Sequence, residues 1–204
     1  MKPAVPTERT PTGRAEPGDT RTRLVMATAT LLQRQGYEGT SVKQILKEAA
    51  ATYGSLYHHF PQGKEELAAE ALRFGAAEFT ELLRQGLSST DDPAEAVANC
   101  AHLMADSLRD SDWTDGCPVA ATALEIIGRS PLIQRTSDEA LREWQQLIAD
   151  TLHRGGHTQE HAAALACTIL SALEGAELLS RVSSDDAPLR LAAEHLAVLT
   201  RAGL

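Results

Sequence analysis

Residues 40–67 read TSVKQILKEAAATYGSLYHHFPQGKEEL, and the rest of the chain is organised around them. Ser41 is placed to cap a short helix through its side-chain oxygen, and Val42, Ile45, Leu46 and Ala49 then recur at the spacing of one apolar helical face. Ala49 to Ala51 do not carry that pattern on. Thr52 supplies a second N-cap and opens another short helix, Tyr53 to His59, in which Leu56 and Phe60 lie four residues apart and point inward. Pro61 and Gly63 stop it. With Leu56 and Phe60 buried, the opposite face presents Tyr53, Ser55, Tyr57 and His58, with His59 beside them. Two short helices joined by a tight turn, the second offering polar and aromatic groups from its N-terminal end, form the pattern of a helix-turn-helix that lays its second helix in a DNA major groove. Lys64 opens a third helix, where its ammonium and the free backbone N–H groups can both face a phosphate.

This stretch resembles the DNA-binding signature of the TetR family of bacterial transcriptional regulators, carried here by Gly54-Ser55-Leu56-Tyr57-His58-His59-Phe60-Pro61 and Lys64-Glu65-Glu66-Leu67. Pro61-Gln62-Gly63-Lys64 resembles the slightly longer linker of the LmrA/YxaF branch. Gly116-Cys117-Pro118-Val119-Ala120-Ala121, through Leu124-Glu125, resembles a motif in that branch's ligand domain. Two positions depart from the pattern. Ala50 stands where the turn commonly has Gly, so a positive φ there costs about 1 kcal/mol more, and Tyr53 stands where a basic residue is common. The resemblance implies a regulator whose larger domain binds a small effector that releases DNA, with hydrophobic or aromatic effectors and efflux or detoxification genes as the branch's analogy. Thr40, Ser41, Lys43, Thr52, Tyr57, His59 and Lys64 are expected mainly to hold phosphates, and Tyr53, Gly54, Ser55 and His58 to approach base edges. With so few Arg or Asn in the reading helix, DNA shape carries part of the specificity.

Charge follows the same division. The 204-residue chain has a net charge of −9, yet residues 1–64 hold 9 Lys or Arg against 5 Asp or Glu, and residues 65–204 hold 10 against 23. A basic end on an acidic body suits a protein that docks nucleic acid with one end. Abundant Ala and Leu with few aromatics favour an all-α fold without a sheet. Cys100, Cys117 and Cys167 have no paired spacing, so neither a disulfide framework nor a zinc site is expected, and a reducing cytoplasm fits. No uninterrupted apolar stretch approaches the twenty or so residues that span a bilayer, and a soluble protein with no membrane partner is expected. Catalysis has no support: His58 and His59 point different ways on one short helix, and no Ser, His and Asp set, metal-ligand spacing or glycine-rich phosphate loop is recognisable. No cofactor is expected. A helical binding module acting without DNA would share every feature of the body and differs only in residues 40–67.

In chain order, residues 1–19 read as a flexible Arg-bearing arm, either a tail without a role or a reach toward the minor groove. Residues 20–66 read as the helix-turn-helix domain and 67–204 as the effector-binding and dimerisation domain. The first helix runs from Thr20 to Gln35, with Gly36 as its stop, and Lys64 to about Leu87 forms a rod across the boundary. Further helices are expected at 94–109, 119–127, 131–153, 158–182 and 189–201, the helix 119–127 being apolar nearly all round and therefore central to the body. The small residues and broad apolar faces of the last two helices suit either a two-fold dimer or the closing of the monomer's own core. Met104, Leu108, Trp113, Cys117, Val119, Leu124, Ile127 and Trp144 either complete the core or line an apolar pocket, with His102, Thr122 and Glu125 as its polar groups. Cys117, before Pro118 at a helix start, reads either as a small buried hydrophobe or as a thiol whose pKa the helix dipole lowers, able to act as a redox switch.

Overall fold

Pro, Asp, Ser and Thr punctuate the chain, and the helices begin where they stand. The computed structural model describes residues 19–202, so the arm proposed for residues 1–19 lies outside them apart from Asp19. Among the described residues the fold is all-α: α1 (Thr20–Gly39), α2 (Val42–Glu48), α3 (Tyr53–His59), α4 (Lys64–Leu87), α5 (Pro93–Asp110), α6 (Pro118–Ile126), α7 (Pro131–Arg154), α8 (Gln159–Ser183) and α9 (Ala187–Ala202). Asp19, Ser41, Thr52, Asp92, Cys117, Ser130 and Thr158 each cap the helix that follows by accepting a backbone N–H. Pro93, Pro118 and Pro131 take first-turn positions, where a missing N–H costs nothing. α1 is broken at Gly36, whose φ of 71° and ψ of −173° end the regular helix where the sequence places its stop.

Three apolar clusters divide the interior. The first joins Leu24 and Val25 of α1, Ile45 and Leu46 of α2, Leu56 and Phe60 at α3, and Leu67 of α4. The largest is built from α4, α5, α7, α8 and α9, with Val119 from the start of α6, and holds Trp144 fully buried, tilted against Phe79 at 4.5 Å between ring centroids and donating its indole N–H to Thr80 Oγ1 at 3.0 Å. Between them, Ala29 and Leu32 of α1, Ala68, Ala69, Ala71 and Leu72 of α4, Ile126 of α6 and Ile133 of α7 form a third. α4 runs through all three. Its small residues bring α1, α6 and α7 close to a single rod.

One expectation changes. α6 is not central: it lies across α1 and α4 at the junction, burying Val119, Thr122 and Ile126 while Leu124 is 81% exposed. α8 has the length and composition of a membrane-spanning helix, but Glu174, Glu177 and Arg181 interrupt its apolar run. Its stripe Ala162, Leu165, Ala166, Ile169, Leu170 and Leu173 is buried in the body core, where an apolar helix of a globular bundle belongs.

Candidate nucleic-acid interface and its link to the body

The helix pair at the N-terminal end is held by two capping boxes. Ser41 Oγ accepts from Gln44 N at 3.2 Å while Gln44 Oε1 accepts from Ser41 N at 3.0 Å. Thr52 Oγ1 accepts from Ser55 N at 3.2 Å while Ser55 Oγ accepts from Thr52 N at 3.0 Å. These reciprocal bonds satisfy donors that two seven-residue helices would otherwise leave orphaned. Between them Ala50 adopts φ 47°, the left-handed conformation in which Gly would be cheaper. Arg23 Nε donates to Ala49 O at 3.0 Å and holds the turn against α1.

The outward face of α3 carries Tyr53 and Tyr57, 56% and 53% exposed, with Gly54 and His58 also exposed and Ser55 and His59 half-buried. Lys43 is exposed on α2. A Cβ on Gly54 would meet nothing nearer than Thr52 Oγ1 at 3.8 Å, so no intramolecular packing demands glycine there. Tyr57 lies across Gly63, whose φ is 75° and whose added Cβ would come within 3.2 Å of the Tyr57 ring.

Two sequence-assigned phosphate holders are committed elsewhere. Thr40 is fully buried, its hydroxyl donating to Gly36 O at 2.7 Å. Lys64 turns inward: its Nζ donates to Tyr37 O at 2.7 Å and sits 3.8 Å from the Tyr37 ring centroid. Burial lowers its pKa from the usual lysine value, against the raising effect of Glu38 and Glu125. The lysine fastens the start of α4 to the broken end of α1. The sequence spacing could not reveal this, because the acceptor is a backbone carbonyl twenty-seven positions away.

The break at Gly36 is where the body grips the head. Glu125 Oε2 on α6 accepts from Tyr37 N at 2.7 Å and Glu38 N at 3.0 Å, so the carboxylate caps the backbone freed by the break. A Cβ on Gly36 would lie 2.8 Å from both Glu125 oxygens and 3.0 Å from Ala121 O. The bonds account for the charge of Glu125, which the sequence places as a polar group of a pocket. Around this latch Arg129 pairs with Glu38 at 2.9 Å, Ser130 Oγ donates to Glu65, and Arg34 pairs with Asp115 at 2.6 Å. The Arg34 guanidinium holds the Asp115 carboxyl below its usual range. Arg181 of α8 donates through one Nη to both Arg34 O at 2.8 Å and Thr114 O at 2.7 Å.

The residues assigned to a body pocket do not converge. Met104, Leu108, Val119 and Trp144 are buried core, and Trp113 packs half-buried at φ 63° in the loop after α5. His102 is exposed on α5, off the apolar face, so it is no pocket group. Thr122 is fully buried and its hydroxyl has no partner. Only Cys117 and Leu124 border a cavity, one of about 310 Å³ between α6 and α8 whose far wall is Glu174, Gly175, Glu177, Leu178 and Arg181. Burial raises the carboxyl pKa of Glu174 to about 7 and, with Glu174 adding its charge, that of Glu177 to about 8. Cys117 is buried and burial drives its thiol well above the usual value, followed by the charges of Glu174 and Glu177. The expectation of a dipole-lowered thiol is therefore overturned: desolvation outweighs the helix start. The two glutamates were missed, although carboxylates three apart in an otherwise apolar helix were visible as a signal.

A family model described as "Bacterial regulatory proteins, tetR family" matches residues 24–71, and one described as "Transcriptional regulator LmrA/YxaF-like, C-terminal domain" matches residues 93–195. The chain is 35% identical to the HTH-type transcriptional regulator YxaF of Bacillus subtilis (strain 168), covering 90% of this chain and 96% of that one. It is 33% identical to the HTH-type transcriptional regulator LmrA of the same organism, covering 84% and 92%. A TetR transcriptional regulator from Chloroflexus aurantiacus J-10-FL superposes with a TM-score of 0.75 at 26% identity, covering 89% of this chain and 94% of that one.

Proposed function

The chain belongs to the TetR family of bacterial transcriptional regulators, in its LmrA/YxaF-like branch, and from that premise we propose that it is a cytoplasmic repressor that binds operator DNA as a homodimer and is released by a small hydrophobic or aromatic effector. It is a DNA-binding regulator rather than an enzyme. The observation that carries the finer reading is the Glu125 latch: α6 presents one face to the cavity and a carboxylate from the same helix to the backbone of the reading head. An effector that wedges α6 from α8 withdraws Glu125 from Tyr37 and Glu38, and the head turns as a rigid body. Arg181, which borders the cavity and holds Arg34 O, moves with it.

On the DNA side, Lys43, Ser41, Thr52, Tyr57 and His59 hold phosphates, while Tyr53, Gly54, Ser55 and His58 approach bases; the open space over Gly54 supports close backbone approach. The dimer uses α8 and α9, which leave Leu178, Leu179, Val182, Leu191, Val198 and Leu199 exposed, Val182 at 78% and Val198 at 66%. Burying that strip is favourable at about 25 cal/mol per Å² of apolar surface. Fluorescence anisotropy against the DNA flanking the chain's own gene, paired with light scattering, tests the reading. A dimer that binds tightly, and lets go on adding an aromatic compound that also raises its melting temperature, is expected. A monomer, or binding that no stabilising compound weakens, would contradict it.

A further inference from the structure

The wall of the α6–α8 cavity holds a donor set that organic effector binding does not explain. Cys117 Sγ, a Glu174 oxygen and a Glu177 oxygen all lie within 4.8 Å of one another. Both Glu174 oxygens expose less than 1 Å² and have no hydrogen-bond partner, although they border the cavity. An orphaned carboxylate in such a place is costly, and a buried thiol beside it adds no compensating charge.

We propose that Cys117, Glu174 and Glu177 form a site for a divalent cation of the zinc class, with the fourth coordination position open to the cavity. A thiolate with two carboxylates suits a borderline-soft ion and excludes magnesium or calcium, which take oxygen donors. Donor atoms around tetrahedral zinc stand about 3.5 Å apart for Zn–S and Zn–O bonds near 2.3 and 2.1 Å. Rotation of two glutamate side chains from neighbouring turns of α8 closes the difference. Cys117 N already donates to Glu177 Oε2 at 3.1 Å, which aims that carboxylate at the cysteine. Arg181 lies beside the set and offsets the single negative charge that three anionic donors leave around a divalent ion. Gly116 makes room for it, since a Cβ there would stand 2.7 Å from Arg181 Nη1. On binding, the thiol proton and any carboxyl protons pass to water. The site shares its cavity with the proposed effector, but all three donors come from the chain itself, so the metal alone is the probe and a failed titration leaves the effector reading standing.

Full-length protein stripped with chelator is titrated with Zn²⁺ by calorimetry and with Co²⁺ by absorption spectroscopy. One equivalent of zinc per chain at micromolar affinity or tighter is expected, together with a thiolate-to-cobalt charge-transfer band in the near ultraviolet. Cys117→Ser removes that band, Glu174→Gln weakens zinc about 10-fold or more, and His102→Ala, on the exposed face of α5, changes neither. Glu174→Gln is isosteric at a group that makes no hydrogen bond, so it keeps the test open if Cys117→Ser fails to melt cooperatively. Zinc binding that both variants leave unchanged, a cobalt spectrum without the sulfur band, or no tight equivalent at all would overturn the site.

Discussion

The reading head and the α6–α8 cavity both gather polar groups at a surface, but over different lengths of chain. In the head, the hydroxyls that shape the two helices pair with partners three residues away. In the cavity, Cys117 meets Glu177 across sixty positions, and the Glu125 latch spans eighty-eight to Tyr37. Local pairing leaves the head internally satisfied, so its exposed aromatics are free for an outside partner. Long-range assembly leaves the cavity with one carboxylate, Glu174, that no hydrogen bond satisfies.

The comparison breaks hardest in the body core. Trp144→Ala removes a fully buried ring together with its indole bond to Thr80, and is expected to cost about 3–5 kcal/mol, read as a fall in urea midpoint. A loss below about 1 kcal/mol would mean that α4 and α7 leave room beside the indole rather than packing on it. Next comes the junction. Gly36→Ala puts a Cβ at a positive φ and against Glu125 and Ala121 O, and should destabilise by about 2–3 kcal/mol. Pairing it with Glu125→Ala in a double-mutant cycle should give a non-additive result, because the two share one contact.

A gentler effect distinguishes the cavity by pH. Glu174 and Glu177 have folded pKa values raised above the ordinary 4.5, to about 7 and about 8, so the folded state holds protons that the unfolded chain releases. Their contribution is fully present below about pH 4.5 and is lost as pH rises through 7 and 8. Chemical denaturation across that range should show stability falling with pH, and Glu174→Gln should flatten the slope. The smallest change lies in the head: Ala50→Gly, at φ 47°, should raise stability by about 0.5–1 kcal/mol, measured by thermal melting.

These differences in range also decide what could be read in advance. Caps at Ser41, Thr52, Asp92 and Ser130 and the stop at Gly36 are written within a few residues and appear as the local sequence predicts, while the strained turn at Ala50 follows from the family resemblance. What composition suggested about α6 failed, because apolarity cannot say whether a helix faces a core or a junction. Lys64 misled for a related reason. A cation at a helix start reads as a phosphate ligand, and only folding brings the Tyr37 carbonyl beneath it. His102 was credited with a pocket that its exposed position on α5 denies it, whereas Glu174 and Glu177, hidden in an apolar run, border the cavity.

The central claim is that Tyr53 and Tyr57, exposed on α3, serve DNA and add little to the stability of the fold. Fluorescence anisotropy of the wild type and Tyr57→Ala on the DNA flanking the gene, over a range of salt and alongside melting curves, tests it most directly. Tight binding that weakens steeply with salt and is lost in the variant, at a melting temperature within a degree or two of wild type, is the predicted result. Equal affinity for flanking DNA in wild type and variant, or a variant that loses stability along with DNA, would contradict it.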